Sequence, residues 1–253
     1  MRSTTTRPPT GQGPGRTWRN AAWAAGVLAL AALVVGLTTV GRQPEGGASA
    51  GRSAFASVAD VLGIAPGDTV TTFEGEPVTG AEVIRAAQTV RADVISEFTG
   101  QELGPGFWER PRGEVTPAQR LRDEAVRTAV LDKARRVWAR YAGLITDVSE
   151  QGFQRELAAE NQRRAQAARS GHPVPGVPAY DEYTFAQVRA AELDSALSKL
   201  YAGKLDLSER RLREQYARTA GPEAPPFEQV RENLRRQLVI QGYEQALRTR
   251  ARS

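Results

Sequence analysis

The chain has no cysteine, a single histidine, a single methionine and only three lysines in 253 residues. Without thiols it can build neither a disulfide framework nor a thiolate metal site, and it offers no sulfur for lipid attachment through a thioether. One histidine, His172, leaves no His-based triad, and no P-loop, dinucleotide fingerprint or zincin motif is present. His172 lies among prolines and reads as solvated. The paired carboxylates Asp123-Glu124 and Asp181-Glu182 sit in strongly charged stretches, where a solvated face is the ordinary explanation. These absences predict a non-enzymatic protein with no metal and no cofactor.

Lysine is scarce but arginine is not: thirty-one of the basic residues are arginine, a ratio that reads as the coding bias of a GC-rich genome. The formal net charge is +5 and the pI is near 9.9. Four of these arginines, Arg2, Arg7, Arg16 and Arg19, lie within the first twenty residues, which hold no acidic residue, and setting them aside leaves thirty basic against twenty-nine acidic residues. A nucleic-acid binder carries its excess on the folded body, so no nucleic-acid partner is expected.

Those arginines flank Ala21–Val40, twenty residues without a charge. At ~1.5 Å per residue the run reaches ~30 Å, the thickness of a bilayer's hydrocarbon core. The positive-inside bias then holds residues 1–20 in the cytoplasm as a basic tail and sends the rest outward. Ala48-Ser49-Ala50 has the small-x-small form of a leader-peptidase site. The apolar run is nevertheless longer than a secretory signal needs and ends well before that triplet, so it reads as an uncleaved single-pass signal anchor. Gly41–Ala56, rich in Gly, Ala and Ser, is a flexible tether, and residues 57–253 form the extracytoplasmic domain.

That domain is predicted to be mainly α, with one short β segment at Thr69–Phe73 followed by a turn over Glu74-Gly75-Glu76-Pro77. Thr79-Gly80-Ala81-Glu82 is a capping box opening a helix with an apolar face of Val83, Ile84, Ala87 and Val90. Thr116-Pro117-Ala118-Gln119 opens a second, running to about Tyr141, whose stripe is Val126, Val130, Ala134, Val137 and Tyr141 with Trp138 alongside. A further helix starts at Ser149. Its polar run Ala158–Arg169 reads as a solvated arm, broken by the glycines and prolines of Gly171–Pro178. Helices over Phe185–Tyr201 and Ser208–Arg218 follow, and a last one from Phe227 is predicted to pack back on the Thr116–Tyr141 helix.

This order of elements resembles the SurA/PrsA-type exported chaperones. Phe73-Glu74-Gly75-Glu76-Pro77-Val78-Thr79 is similar to the family's opening V-N-G-E-P-I-T, differing at its first two positions, and Leu121–Asp147 is similar to its first long helix. Lys204-Leu205-Asp206-Leu207-Ser208-Glu209 with Tyr216, and Pro226-Phe227-Glu228-Gln229-Val230-Arg231, resemble the segments on either side of the family's parvulin isomerase domain. Here only Thr219–Pro225 lies between them, too short for such a domain, and the family's catalytic histidines have nothing to map onto.

The resemblance implies a SurA-like helical domain that holds unfolded or extended exported polypeptides without prolyl isomerase activity. An envelope scaffold or adaptor with one dedicated partner would use the same kind of groove. Candidate peptide contacts are the aromatics least certainly consumed by helix packing: Phe107, Trp108, Phe153, Tyr180 and Tyr183. For Phe107 and Trp108 the alternative is a loop folded back onto the core. No oligomeric state is specified.

Overall fold

Local signals set where most of the helices begin. In the computed structural model, which describes residues 56–252, the chain is mainly helical. The order is α1 (Val58–Leu62), β1 (Thr69–Phe73), β2 (Glu76–Thr79), α2 (Gly80–Glu97), α3 (Pro117–Tyr141), α4 (Glu150–Arg169), α5 (Glu182–Ala202), α6 (Glu209–Thr219) and α7 (Phe227–Arg250). The basic tail, the Ala21–Val40 span, the Ala48–Ala50 triplet and the tether up to residue 55 lie outside the described residues. Among the described residues no helix is long and apolar enough to cross a membrane.

Both capping boxes form as the residue types require. Thr79 accepts from the Glu82 amide while Glu82 returns to the Thr79 amide at 2.8 Å, and Thr116 and Gln119 do the same for α3, with Pro117 at the first helical position. Ser149, Asp181 and Ser208 cap α4, α5 and α6. Helix α2 starts where only glycine fits, because a β-carbon on Gly80 would stand 1.9 Å from the Ala65 carbonyl oxygen. That closeness lets Asp68 and Pro66 carbonyls accept the Gly80 and Ala81 amides at 2.7 and 2.9 Å.

The β region differs from the expectation of one strand and a long turn. Glu74 and Gly75, both at positive φ (49° and 81°), form a two-residue turn, and Glu76–Thr79 returns as β2, antiparallel to β1 with Thr72 opposite Pro77. Proline is compatible with this ladder because a two-stranded ribbon is all edge and leaves alternate positions unbonded.

Helices α2 and α3 share the most extensive packing and run antiparallel, pinned at the two ends of α2 by Glu82–Lys133 (2.7 Å) and Glu97–Arg120 (2.8 Å). The core face of α3 is Leu121, Ala125, Ala129, Ala134 and Val137. Val126 and Val130 are only half-buried. Tyr141, read as the last residue of the stripe, is 65 % exposed beside the Arg140 and Arg250 guanidiniums. The reason is that α3 is covered on more than one side, so small alanines occupy the closest approaches.

Helix α7 packs chiefly on α5 and meets α3 through Tyr243, whose ring lies 5.4 Å from that of Trp138. The expected α3 contact is therefore real but secondary. Tyr243 donates its hydroxyl to Asp194 of α5, which also accepts from Arg135 of α3 at 2.7 Å, so one carboxylate joins three helices. Burial first, and then the Asp194 carboxylate, push the Tyr243 phenol well above its ordinary range. The first half of α7 pairs with α6 instead, through Tyr216 and Phe227.

Among the described residues, Lys133 is the charged side chain most completely withdrawn from solvent: it is 0 % exposed, bonds Glu82, and donates to the Val148 carbonyl at 3.0 Å. Removing one partner of such a pair strands the other. Lys133→Ala is expected to cost about 3–5 kcal/mol of unfolding free energy, read by urea denaturation. Lys133→Met, which keeps most of the volume, is expected to lose less than Lys133→Ala.

Candidate functional site

The strongest candidate lies where α4, α5 and the segment joining them enclose a cleft of about 520 Å³. It is assembled from two local features. Gly171 and Gly176 take positive φ (71° and 77°), so the chain leaving α4 turns and runs back along that helix. Asp181 then caps α5, which starts directly after the returning segment.

Two α4 side chains fix that segment by its backbone. Asn161 donates to the Tyr180 carbonyl at 2.9 Å and accepts from the Tyr180 amide at 2.8 Å, the pairing a neighbouring β-strand would make. Arg164, one turn on and 3 % exposed, donates to the Pro175 and Val177 carbonyls and to the Tyr180 hydroxyl at 3.1 Å, with its guanidinium 4.2 Å from the Tyr180 ring centre. The expectation that Ala158–Arg169 is a solvated arm is thus corrected. One face of α4 is covered by the segment that follows it, and a buried guanidinium is tolerated there because several acceptors satisfy it.

The cleft carries apolar surface from Ala159, Tyr180, Phe185 and Val188. Its charged members balance: Glu156, Glu160 and Glu192 face Arg163, Arg164 and Arg189, paired at 2.7 Å (Arg163–Glu160), 3.0 Å (Arg189–Glu156) and 3.0 Å (Arg189–Glu192). The Arg163 hydrogen bond, opposed by partial burial and helped by Arg164, holds the Glu160 carboxyl below its usual range. Val188 and Glu192 also border an open depression that continues along α5 to Lys199. Such a surface has apolar area and backbone-directed donors, but no net charge with which to select a charged ligand.

A second cleft, of about 710 Å³, lies between the start of α2 and the starts of α4 and α5. Arg85 dominates it, bridging Glu150 (3.2 Å) and Glu182 (2.9 Å) with its guanidinium 4.0 Å from the Phe153 ring centre.

The five aromatics proposed as contacts divide unevenly. Tyr180 lines the first cleft and Tyr183, 37 % exposed, lines the second. Phe107 and Trp108 are fully buried, edge to face with centroids 5.0 Å apart, in the main core beside α2 and α3. Gly106 at φ 80° turns their loop inward, and the Trp108 carbonyl accepts the Ala118 amide at 3.1 Å. Of the two readings given for them, the loop folded back onto the core is the one the structure supports, and they are not available as contacts. Phe153 is also buried, in a smaller cluster with Leu157 and Phe185, and reaches neither cleft. Asn161, Arg164, Phe185 and Val188 were missed. The first two are one turn apart on α4, but their partners lie in a proline-rich segment whose return path no periodicity announces. Among the described residues no group of acidic and histidine side chains could hold a metal ion.

No protein-family model, curated protein or solved structure matches the chain.

Because the folded-state pKa of Glu160 is depressed, its contribution to stability is present above the ordinary carboxylate range and is lost as pH falls through the folded value. Melting temperature is expected to fall steeply below about pH 4. Glu160→Gln is expected to be slightly less stable at pH 7, by up to ~1 kcal/mol, and to show a shallower acid slope. Parallel curves for the two proteins would remove Glu160 from the acid transition.

Proposed function

We propose that the chain is a SurA/PrsA-type exported chaperone lacking the parvulin domain: a holdase that binds unfolded or extended exported polypeptides without prolyl isomerase activity. In this reading Ala21–Val40 is an uncleaved single-pass anchor, residues 1–20 are cytoplasmic, and the helical body stands outside the membrane near emerging chains. The observation that carries the proposal is the charge-balanced, aromatic-bearing cleft between α4 and α5, where Asn161 bonds only main-chain groups and Arg164 bonds two main-chain carbonyls beside the Tyr180 side chain. Recognition of that kind suits clients that share only an exposed backbone and apolar residues. The connection of seven residues between α6 and α7, at the place where the family carries its isomerase, supports the non-catalytic part of the reading.

An envelope adaptor for one dedicated partner is the second reading. The second cleft favours it, because its fixed Arg85–Glu150–Glu182 arrangement would demand a matching polar surface.

The full-length chain, added in stoichiometric amounts, is expected to suppress aggregation of several unrelated unfolded proteins and to leave a proline-limited refolding rate unchanged. Protection of none, with tight binding to a single native envelope protein, would replace the holdase by the adaptor.

A further inference from the structure

We infer that the segment from Pro173 to Tyr180 is an internal occupant of a main-chain-reading groove on α4, and that extended, proline-containing client segments ending in an aromatic residue take its place. This rests on the polypeptide-binding reading above and names the ligand class of the same site.

The argument starts from what holds the segment. Its sequence, Pro-Val-Pro-Gly-Val-Pro-Ala-Tyr, has three prolines and no charge, so it forms neither a helix nor a sheet of its own and depends on others for its hydrogen bonds. Those bonds come from α4 and go to the backbone: the amide and carbonyl of Tyr180 to Asn161, and the carbonyls of Pro175 and Val177 to Arg164. Side-chain recognition enters only at the aromatic end, where the Tyr180 ring lies against Arg164 and 6.3 Å from the Phe185 ring, and its hydroxyl accepts from Arg164. An α4 that merely needed covering would be served by apolar contacts. Here a buried arginine and a bidentate asparagine are arranged as in recognition of an extended peptide.

Beyond those α4 bonds and Tyr180, which packs against the Phe153–Leu157–Phe185 cluster, little else holds the segment. Val177 is 44 % exposed, and Pro173, Pro175 and Pro178 are exposed, so release of residues 173–179 would uncover little apolar surface. The cleft alongside leaves room for an incoming chain to engage Tyr180's neighbours, Phe185 and Val188, before exchange is complete. A tethered occupant acts at an effective concentration of ~1 mM, so it screens the groove from weak ligands and yields to stronger or abundant ones.

The test uses the full chain and a fluorescent peptide with the sequence of residues 172–182. Replacing residues 173–180 by a Gly/Ser linker of equal length, which removes Tyr180 with its ring and hydroxyl contacts and the prolines that keep the segment extended, is expected to tighten peptide binding at least ~10-fold over the native chain, as weakening of an internal competitor requires. Adding Asn161→Ala to the linker variant is expected to abolish that gain. Equal affinity for native and linker forms, or binding to neither, overturns the inference. Should the linker form not fold, hydrogen exchange at the Tyr180 amide of the native chain gives the answer: excess peptide is expected to accelerate it by freeing the amide from Asn161, and an unchanged rate overturns the inference. Aggregation assays in parallel separate the two readings. Protection of clients with no effect of peptide on Tyr180 exchange removes the internal occupant and leaves the holdase, whereas accelerated exchange without protection removes the holdase and leaves the occupied groove.

Discussion

A single ammonium group organises the centre of this protein. Lys133, in the middle of α3, reaches Glu82 at the start of α2 and the Val148 carbonyl in the connection to α4. Glu82 uses its other oxygen to cap its own helix through Thr79. The hairpin exit, two long helices and the entry to a third are thereby referred to one point. In a chain with ten times as many arginines, the choice of lysine is informative. A compact point charge fits a site with two acceptors and no solvent, where a planar fork with five donors would leave several unsatisfied. The arrangement is costly to bury and costly to break, so it specifies a register as much as it stabilises one.

What could be read from the sequence follows the range of the interactions involved. Helix starts at Thr79, Thr116, Ser149 and Ser208 were legible because a cap is made by residues three apart. The strand at Thr69–Phe73 was legible for the same local reason, whereas β2 was hidden by Pro77, which argues against a ladder until the ladder is known to have two strands. The fates of the aromatics were legible only as alternatives. Phe107 and Trp108 look idle in a glycine-rich loop, yet a single positive-φ glycine sends both into the core, and Phe153 on a polar helix finds Phe185 from the next one. Tyr180 and Tyr183, three residues apart at the α5 start, were placed at clefts, but the polar residues that define the first cleft were read as solvent-facing charge.

That last error has a physical origin. Hydropathy treats Arg164 and Asn161 as surface residues, and in isolation α4 would display them to water. They are withdrawn only because a segment poor in its own hydrogen-bonding options lies across them. The same arrangement connects structure to the proposed activity: donors that satisfy one extended backbone can satisfy another, and the paired carboxylates and guanidiniums around them leave no dominant charge to restrict which one.

The hairpin of α6 and α7 has a different consequence. Its tip, residues 220–226, joins two helices that pack chiefly on each other there, while the far half of α7 is what engages α5 and α3. Loop-closure entropy rises only slowly with length, so additional sequence at that tip would strain nothing behind it. The architecture thus has a permissive port: whole modules could be gained or shed there during descent while Tyr243, Asp194 and Arg135 continue to hold the base of the hairpin in place.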